Sequence, residues 1–306
     1  MRYLELGFSG RTEWWRYIVT ILLVLIGISI GSLPLSWAIK SKSALSSVDT
    51  ARLNDINYIF TLFDSNTSLV YMILPFVGGL LMLFLSVKWV HQKSLVSLTT
   101  SRDIIDWKRV FFSFILWSGF VLFFFAVQYI TSPDLFLWNF EWQPFAILLL
   151  LSIILIPIQI GFEEYIFRGY LMQGLAVISK NRWFPLLITS ILFGLMHFDN
   201  PEIDKLGHVL LIYYIGSGLF LGVLALMDEG LELSLGFHAA NNLVTALLVT
   251  ANWTAFQTHS VFKDMSDPDL FWVFVPSIVI YPIVLYIFSK KYKWKNWKEK
   301  LMGSIT

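Results

Sequence analysis

Eight long stretches without a charged residue divide this chain, and they constrain its fold more than any other feature. The first covers residues 17–39, which is 23 positions and enough for a helix to cross about 30 Å of hydrocarbon. Because backbone polar groups inside a bilayer must bond to one another, stretches of this length predict transmembrane helices. We therefore predict an all-α polytopic bundle of about eight spans. The other seven stretches are residues 69–87, 110–130, 142–162, 183–198, 206–227, 233–251 and 270–289.

The composition supports this fold class and excludes several functions. Hydrophobic residues make up 57% of the chain and charged residues 14%, whereas roughly a quarter of the residues in a soluble domain are charged. The net charge is +1, and outside the C-terminal tail no basic stretch alternates with aromatic residues, so we expect no nucleic-acid partner. The chain has no cysteine, which excludes disulfides, thiolate catalysis and thiol-bound metals. Any metal would need histidine and carboxylate ligands.

The basic residues of the connecting segments predict the orientation of the chain in a cell membrane. With the N-terminus inside, the inner segments hold sixteen lysines and arginines and the outer segments hold five. Since cytoplasmic loops carry an excess of these residues, both termini are predicted to be cytoplasmic. The tail that begins at Lys290 alternates lysines with Trp294 and Trp297. It is typical either of a segment on an anionic leaflet or of a flank that only sets the orientation.

We expect three regions along the chain. Residues 1–141 contain an interfacial start and three spans, residues 142–251 contain four spans and the polar motifs, and residues 252–306 contain the last span and a basic tail. Residues 40–68 are polar and read as an exposed loop. The apolar pattern from 144 to 179 is longer than one span requires. A kink near Pro157 or Gly161, a tilt, or protrusion from the membrane would account for the excess.

Three ionisable residues, Glu163, Glu164 and Arg168, lie inside this apolar pattern. Burying them unpaired would cost about several kcal/mol each. On a helix, Glu164 and Arg168 form an i, i+4 pair with the acid on the favourable N-terminal side. Glu163 is rotated away from that pair and remains available for another role. An ion cluster in the headgroup layer would be the structural alternative, but acids inside a membrane usually mark a functional site.

Two histidines also lie in apolar stretches. His197 ends the sequence F-G-L-M-H, and His238 begins the sequence H-A-A-N-N, with Asn242 one helical turn later. His238 and Asn242 therefore share one helix face and can point at the same object. A single histidine in a membrane span is usually a packing residue. Two histidines together with an unpaired glutamate indicate a site.

These motifs, in this order on successive apolar stretches, resemble the EExxxR, FxxxH and HxxxN/D motifs of the CPBP intramembrane proteases. That family includes the type II CAAX prenyl proteases and bacterial proteins linked to bacteriocin self-immunity. The resemblance covers residues 142–251, about a third of the chain. It implies that the catalytic residues are Glu163, His197, His238 and Asn242, with Glu164 and Arg168 in support.

The residue types agree with peptide-bond hydrolysis, which needs an activated water, a donor to the oxyanion and a proton for the leaving amine. Glu163 can act as the general base, and His197 can orient the water or transfer the proton. Asn242, together with His238, can donate to the oxyanion, and this mechanism needs no cofactor. The alternative is a divalent metal such as zinc, held by Glu163, His197 and His238.

Three functions from different classes follow from these observations. The first is an intramembrane endopeptidase of the CAAX protease type that cuts a lipidated or membrane-associated peptide or protein. The second is a non-proteolytic bacteriocin immunity protein or membrane scaffold built on the same fold. The third is a proton-coupled transporter with Glu163 and Glu164 on its path, which would not require Asn242.

Overall fold

A computed structural model describes residues 2–45, 48–53 and 56–305 of the chain, and 75% of these residues are helical. Short 3₁₀ segments occur at Tyr3–Phe8, Thr50–Arg52 and Pro133–Leu135. The strands are β1 (Phe136–Trp138), β2 (Val249–Thr250) and β3 (Phe262–Asp264). The helices are α1 (Trp14–Leu45), α2 (Ile56–Thr61), α3 (Ser65–Trp89), α4 (Leu95–Thr99), α5 (Trp107–Thr131), α6 (Trp142–Glu164), α7 (Met172–Ser179), α8 (Trp183–Leu195), α9 (Pro201–Leu206), α10 (Leu210–Asp228), α11 (Glu232–Leu248), α12 (Leu270–Lys291) and α13 (Trp297–Met302).

Each of the eight predicted apolar stretches forms a helix, so the predicted all-α polytopic bundle is confirmed. Within the described residues, six helical stretches are long and apolar enough to cross a membrane. Helix α8 has 13 residues and helix α11 has 17. At a rise of about 1.5 Å per residue, both are shorter than a typical span. The six long stretches are Trp14–Ser43, Ser65–Trp89, Trp107–Thr131, Trp142–Ser179, Leu210–Asp228 and Leu270–Lys291.

The longest of these stretches changes its helical geometry beside the acidic pair. Helix α6 continues as an α-helix through Pro157 and Gly161, the two positions where the sequence suggests a kink. A π-helical turn over Tyr165–Leu171 then connects it to α7. Such turns are rare in proteins, and those that occur often lie at functional sites. Here the turn carries Arg168 and follows Glu164 directly.

The connecting segments that the sequence assigns to the inside lie together at one end of the bundle, which we call the basic end. The C-terminal tail binds there, because the backbone N–H of Ile305 donates to the carbonyl of Lys180. The N-terminus joins the same end through the Glu229 carboxylate, which accepts a hydrogen bond from the Tyr3 backbone. The basic end comprises residues 2–13, 90–106, 180–182, 229–231 and 292–305.

The segments assigned to the outside lie together at the opposite end. Ala255 donates its backbone N–H to Glu202 on α9. A three-stranded sheet forms at this end, in which β3 pairs antiparallel with β1 and parallel with β2. Helices α8 and α11 therefore run from one end of the bundle to the other in spite of their length.

Buried ion pairs hold the basic end together. Asp228 and Glu232 are both buried, and Arg102 lies 3.2 Å from a carboxylate oxygen of each. Arg109 pairs with the other oxygen of Asp228, which also accepts the indole N–H of Trp294 in the tail. The tail thus folds back onto the protein, and several residues counted for orientation also serve as internal partners.

Lys93 is another basic residue of this end that bonds to a partner inside the protein. Its ammonium group donates to the side-chain carbonyl of Gln173 on α7. Burial lowers the pKa of Lys93 to about 8, because the charged form is less well solvated inside the protein. This lysine contributes to packing between the connecting segment and α7 as well as to the overall charge.

The fold corrects the expectation of a single exposed loop at residues 40–68 and adds to the expectation of an interfacial N-terminal segment. Residues 40–68 are not only a loop, because α1 continues to Leu45 and α2 covers Ile56–Thr61. Positions 46, 47, 54 and 55 of that predicted loop lie outside the described residues. A helix can continue past its lysines because their long stems reach water. The N-terminal segment does more than lie on the membrane surface, since Tyr3 and Leu4 are fully buried.

Helices α1 and α3 cross at glycines that allow their backbones to approach closely. A Cβ atom on Gly78 would collide with the carbonyl oxygen of Gly27. A Cβ atom on Gly27 or on Gly31 would also collide with backbone carbonyl oxygens of α3. Small residues at a helix crossing are typical of membrane bundles, where packing replaces the hydrophobic effect.

Replacing Gly78 with alanine is expected to lower the thermal stability of the purified protein, because the new methyl group must push the two backbones apart. Overpacking of this kind costs about 1–3 kcal/mol. The matched control is Gly119→Ala on α5, where an added Cβ has no neighbour within 4 Å. Thermal melts in detergent should show a clear decrease for Gly78→Ala and no decrease for Gly119→Ala. Equal melting temperatures would contradict the close crossing.

Candidate active site

The paired acids lie at the end of α6, next to the π-helical turn. Glu164 and Arg168 are completely buried, and Arg168 Nη1 lies 3.0 Å from Glu164 Oε1. The second terminal nitrogen of Arg168 donates to the carbonyl oxygen of Gly218 on α10. The guanidinium also lies 4.1 Å from the centre of the Phe193 ring, at a distance typical of a cation–π contact. The predicted i, i+4 ion pair is therefore present.

His238 connects the two glutamates. Its Nδ1 atom lies 2.9 Å from Glu164 Oε1, while its Nε2 atom lies 3.7 Å from Glu163 Oε2. His238 is 8% exposed and Glu163 is 9% exposed. Because a carboxylate only accepts hydrogen bonds, Nδ1–H donates to Glu164 and Nε2 is directed toward Glu163. Glu164 thus orients His238 as well as neutralising Arg168.

Gln159 belongs to this group, and the sequence analysis did not identify it. Its Nε2 atom donates to Glu163 Oε1 over 2.5 Å, and its carbonyl oxygen accepts a 3.1 Å hydrogen bond from Asn242 Nδ2. An amide one helical turn before Glu163, in a stretch that is otherwise strongly apolar, was the available signal. The amide connects α6 to α11 and joins Asn242 to the glutamate.

His197 lies beside this group without a direct bond to it. Its Nδ1 atom is 2.8 Å from the carbonyl oxygen of Phe193, so Nδ1–H donates there and Nε2 carries the lone pair of the neutral ring. The imidazole stacks on Tyr214 at 4.1 Å between ring centres. The Phe193 ring contacts both His197 and His238. Within the described residues, no hydrogen bond or ion pair joins His197 to Glu163 or His238.

The charges of the cluster balance when one proton is shared by Glu163 and His238. Two carboxylates face one arginine, so a proton on either Glu163 or His238 makes the buried group neutral overall. Neutrality is favoured there because an uncompensated charge is costly in a medium of low dielectric constant. A proton that passes between these two groups leaves the net charge of the cluster unchanged, and this is what a proton-transfer site requires.

The side chains of the metal alternative do not converge on one point. His238 Nδ1 is bonded to Glu164, and its Nε2 is 3.7 Å from Glu163. Two donor atoms that each lie about 2.0–2.2 Å from one tetrahedral zinc are about 3.4 Å apart, so the separation of this pair is close to that value and a third ligand would decide. In the part of the chain that the structure describes, no three histidine or acidic residues are grouped so that they could hold a metal ion. Glu163, His197 and His238 thus do not fit a metal in this arrangement.

The fold and the site together define a polytopic membrane protein with a buried cluster of acids, histidine and amides. Residues 141–244 match the family model described as type II CAAX prenyl endopeptidase Rce1-like. The chain therefore carries an Rce1-like segment, and the resemblance that the three motifs indicate is confirmed. The matched segment begins just before α6 and ends within α11, so it contains every member of the cluster.

A relative that covers most of the chain is an uncharacterized protein of Bacillus subtilis (strain 168), YyaK. It is 28% identical over 244 residues, which is 79% of this chain and 80% of the relative. The similarity therefore extends well beyond the segment that carries the motifs. No solved structure matches the chain significantly.

The buried Glu164–Arg168 pair is expected to be essential for folding. Arg168→Met should leave Glu164 as an uncompensated buried charge, which costs about 3–5 kcal/mol. Glu164→Gln should also be destabilising, because it leaves Arg168 as an uncompensated buried charge. The double variant Glu164→Gln/Arg168→Met removes both charges and should recover part of the lost melting temperature in detergent. A decrease in melting temperature for the double variant that equals the sum of the two single decreases would contradict a direct pairing.

Proposed function

We propose that this protein is an intramembrane endopeptidase that hydrolyses a peptide bond of a membrane-associated or lipidated peptide. One observation carries the proposal. Glu163 is a nearly buried carboxylate whose Oε1 atom is bonded to Gln159 while its Oε2 atom faces His238. A carboxylate held next to an imidazole inside a bilayer has the donor and acceptor atoms that water activation requires.

The proposed reaction uses Glu163 as the general base. A water oxygen forms a bond to the substrate carbonyl carbon as one water proton moves to Glu163. The carbonyl oxygen becomes an oxyanion in the tetrahedral intermediate. The C–N bond then breaks, the oxyanion reforms a carbonyl, and the leaving nitrogen takes a proton from the Glu163–His238 pair. The products are a carboxylic acid and an amine, so atoms and charges balance.

Asn242 is proposed to support the oxyanion. Its Nδ2 atom uses one hydrogen in the bond to Gln159, which leaves the second N–H for the developing negative charge. His238 lies one turn earlier on α11. In this proposal His197 orients the attacking water through Nε2, because its Nδ1–H is already bonded to the Phe193 carbonyl.

The substrate proposal rests on the Rce1-like match and on the location of the site. The name of that family refers to CAAX prenyl endopeptidases, so a peptide with a prenylated C-terminus is a natural first probe. A membrane-embedded peptide without a lipid is the second. We propose that no cofactor takes part, and elemental analysis of the purified protein tests this against a divalent metal.

Cleavage by the purified protein in detergent or proteoliposomes tests this proposal. Wild type should cleave at least one of two probe sets, farnesylated C-terminal peptides and unmodified transmembrane peptides. Glu163→Gln should remain folded but lose activity by a factor of about 10³ or more, because the substitution keeps the shape and removes the base. Glu141→Gln makes the same change at an exposed position at the start of α6 and should remain active.

The outcomes separate the proposed reaction from its alternatives. Full activity of Glu163→Gln would contradict the role of this residue. Stoichiometric metal by elemental analysis, together with loss of activity in a chelator, would replace the metal-free mechanism. Failure to cleave either probe set, with protection of cells against a bacteriocin, would favour an immunity protein. Proton flux in proteoliposomes that depends on Glu163 would favour a transporter.

The basic end is proposed to face the cytoplasm, with both termini on that side. Sixteen basic residues belong to the segments at this end or to the helix ends beside it, and an excess of lysine and arginine is retained inside. A reporter that is active only in the cytoplasm, fused after residue 305, should be active. The same reporter inserted after the exposed Asp267, in the loop between β3 and α12 at the opposite end, should be inactive. The reverse pattern would contradict this orientation.

A further inference from the structure

Four hydrogen bonds form a continuous chain from α5 through α11 to Glu163 on α6. Trp117 Nε1 donates to Asn241 Oδ1 at 3.2 Å, and Asn241 Nδ2 donates to Asn242 Oδ1 at 3.1 Å. Asn242 Nδ2 donates to Gln159 Oε1 at 3.1 Å. Gln159 Nε2 donates to Glu163 Oε1 at 2.5 Å. Every member donates in the same direction, toward the carboxylate.

The direction of this chain is determined by the chemistry of its two ends. The Trp117 indole N–H can only donate, and an ionised Glu163 can only accept. The three amides between them each have one donor side and one acceptor side, so all three must point the same way. Reversing one amide would place two donors or two acceptors face to face. Bonds arranged in this way also polarise and strengthen one another.

The chain has a consequence for the position of the proton on Glu163. A proton on Oε1 would turn that atom into a donor and would require Gln159 to present its oxygen. Asn242 and Asn241 would then have to reverse as well, and the Asn241 amino group would face the indole N–H of Trp117. Protonation at Oε1 is therefore opposed through the whole chain. Oε2 has no such restriction and lies 3.7 Å from His238 Nε2.

We propose that Trp117, Asn241 and Gln159 are positioning residues that hold Glu163 Oε1 as an acceptor and direct the proton of the attacking water to Oε2. The inference rests on the proposed peptidase function and adds a proton path to it. Oε2 receives the proton beside His238, from which it can reach the leaving nitrogen. Asn242 lies within the same chain, so its orientation toward the oxyanion is set by the same bonds.

Other charged and titratable groups also act on Glu163 and must be considered in any pH experiment. His238 faces it from α11, and the charge of Glu163 reaches His197, which follows α8. Arg168 also experiences its charge, and Glu164 is its neighbour in sequence. None of these groups is altered by substitutions at Trp117 or Gln159, so the effect of the amide chain can be measured against a constant background.

The first test is the pH dependence of cleavage in Gln159→Leu. Loss of a hydrogen bond to a charged acceptor should lower kcat by roughly ten- to a hundredfold, with KM little changed. The acid limb of the kcat profile should move upward by about one pH unit, because a carboxylate without its donor is protonated more easily. Ser152→Ala removes another buried polar atom from α6 and should leave the profile unchanged.

The second test is at the far end of the chain. Trp117→Phe keeps a ring against Phe237, which lies 4.1 Å from the tryptophan ring, but removes the indole donor. The amides can then reverse, so the acid limb should move in the same direction as in Gln159→Leu and by a smaller amount. The matched control is Trp294→Phe, which removes an indole donor to Asp228 at the basic end. It should not shift the acid limb.

An infrared titration tests the chain without relying on cleavage. The carboxylic acid band that is absent in Glu163→Gln reports protonation of Glu163, and in both Gln159→Leu and Trp117→Phe it should develop at higher pH than in wild type. A band that develops at the same pH in all three proteins, or kcat losses equal at every pH, would overturn the inference. If wild type fails to cleave but the band shifts, the proposed function fails and the hydrogen-bond chain stands.

Discussion

The structure depends on one constraint, which is that an ionised side chain inside an apolar bundle must find a partner there. Arg168 and Glu164 are fully buried and 3.0 Å apart. Removing either partner would leave a charge that neither lipid nor packed side chains can solvate. The π-helical turn, the contact of Arg168 with the α10 backbone and the bond from His238 all converge on this pair. The pair therefore organises four helical elements as well as the site.

The same constraint explains how Glu163 can be reactive. Glu164 is neutralised by Arg168, and its Oε1 atom also accepts the bond from His238, so the charge of Glu164 is already compensated. Glu163 has an amide on one oxygen and an imidazole near the other. A carboxylate in this state is stabilised enough to exist in the bundle and still has an oxygen with which to accept a proton. The partners of the two adjacent acids therefore give Glu164 a structural role and leave Glu163 for the chemistry.

A second set of buried charges lies at the basic end and has a different purpose. Asp228 and Glu232 join α10 and α11 to Arg102, which precedes α5, and to Arg109 in its first turn. Trp294 attaches the tail to Asp228. Helix α11 begins at this cluster and carries His238 and Asn242 toward the opposite end. The ion pairs therefore fix the start of the helix that supplies half of the candidate site.

The sequence by itself determined the bundle, the location of its helices and the Glu164–Arg168 pair, because these depend on local hydrophobicity and on i, i+4 spacing. It also indicated His238 and Asn242 through their shared helix face. Only the tertiary structure decided that His238 bonds to Glu164, that His197 stands apart on Tyr214, and that Gln159 joins Asn242 to Glu163. Those contacts depend on how α6, α8, α10 and α11 pack side by side, and the periodicity of one helix does not specify the depth or rotation of its neighbours.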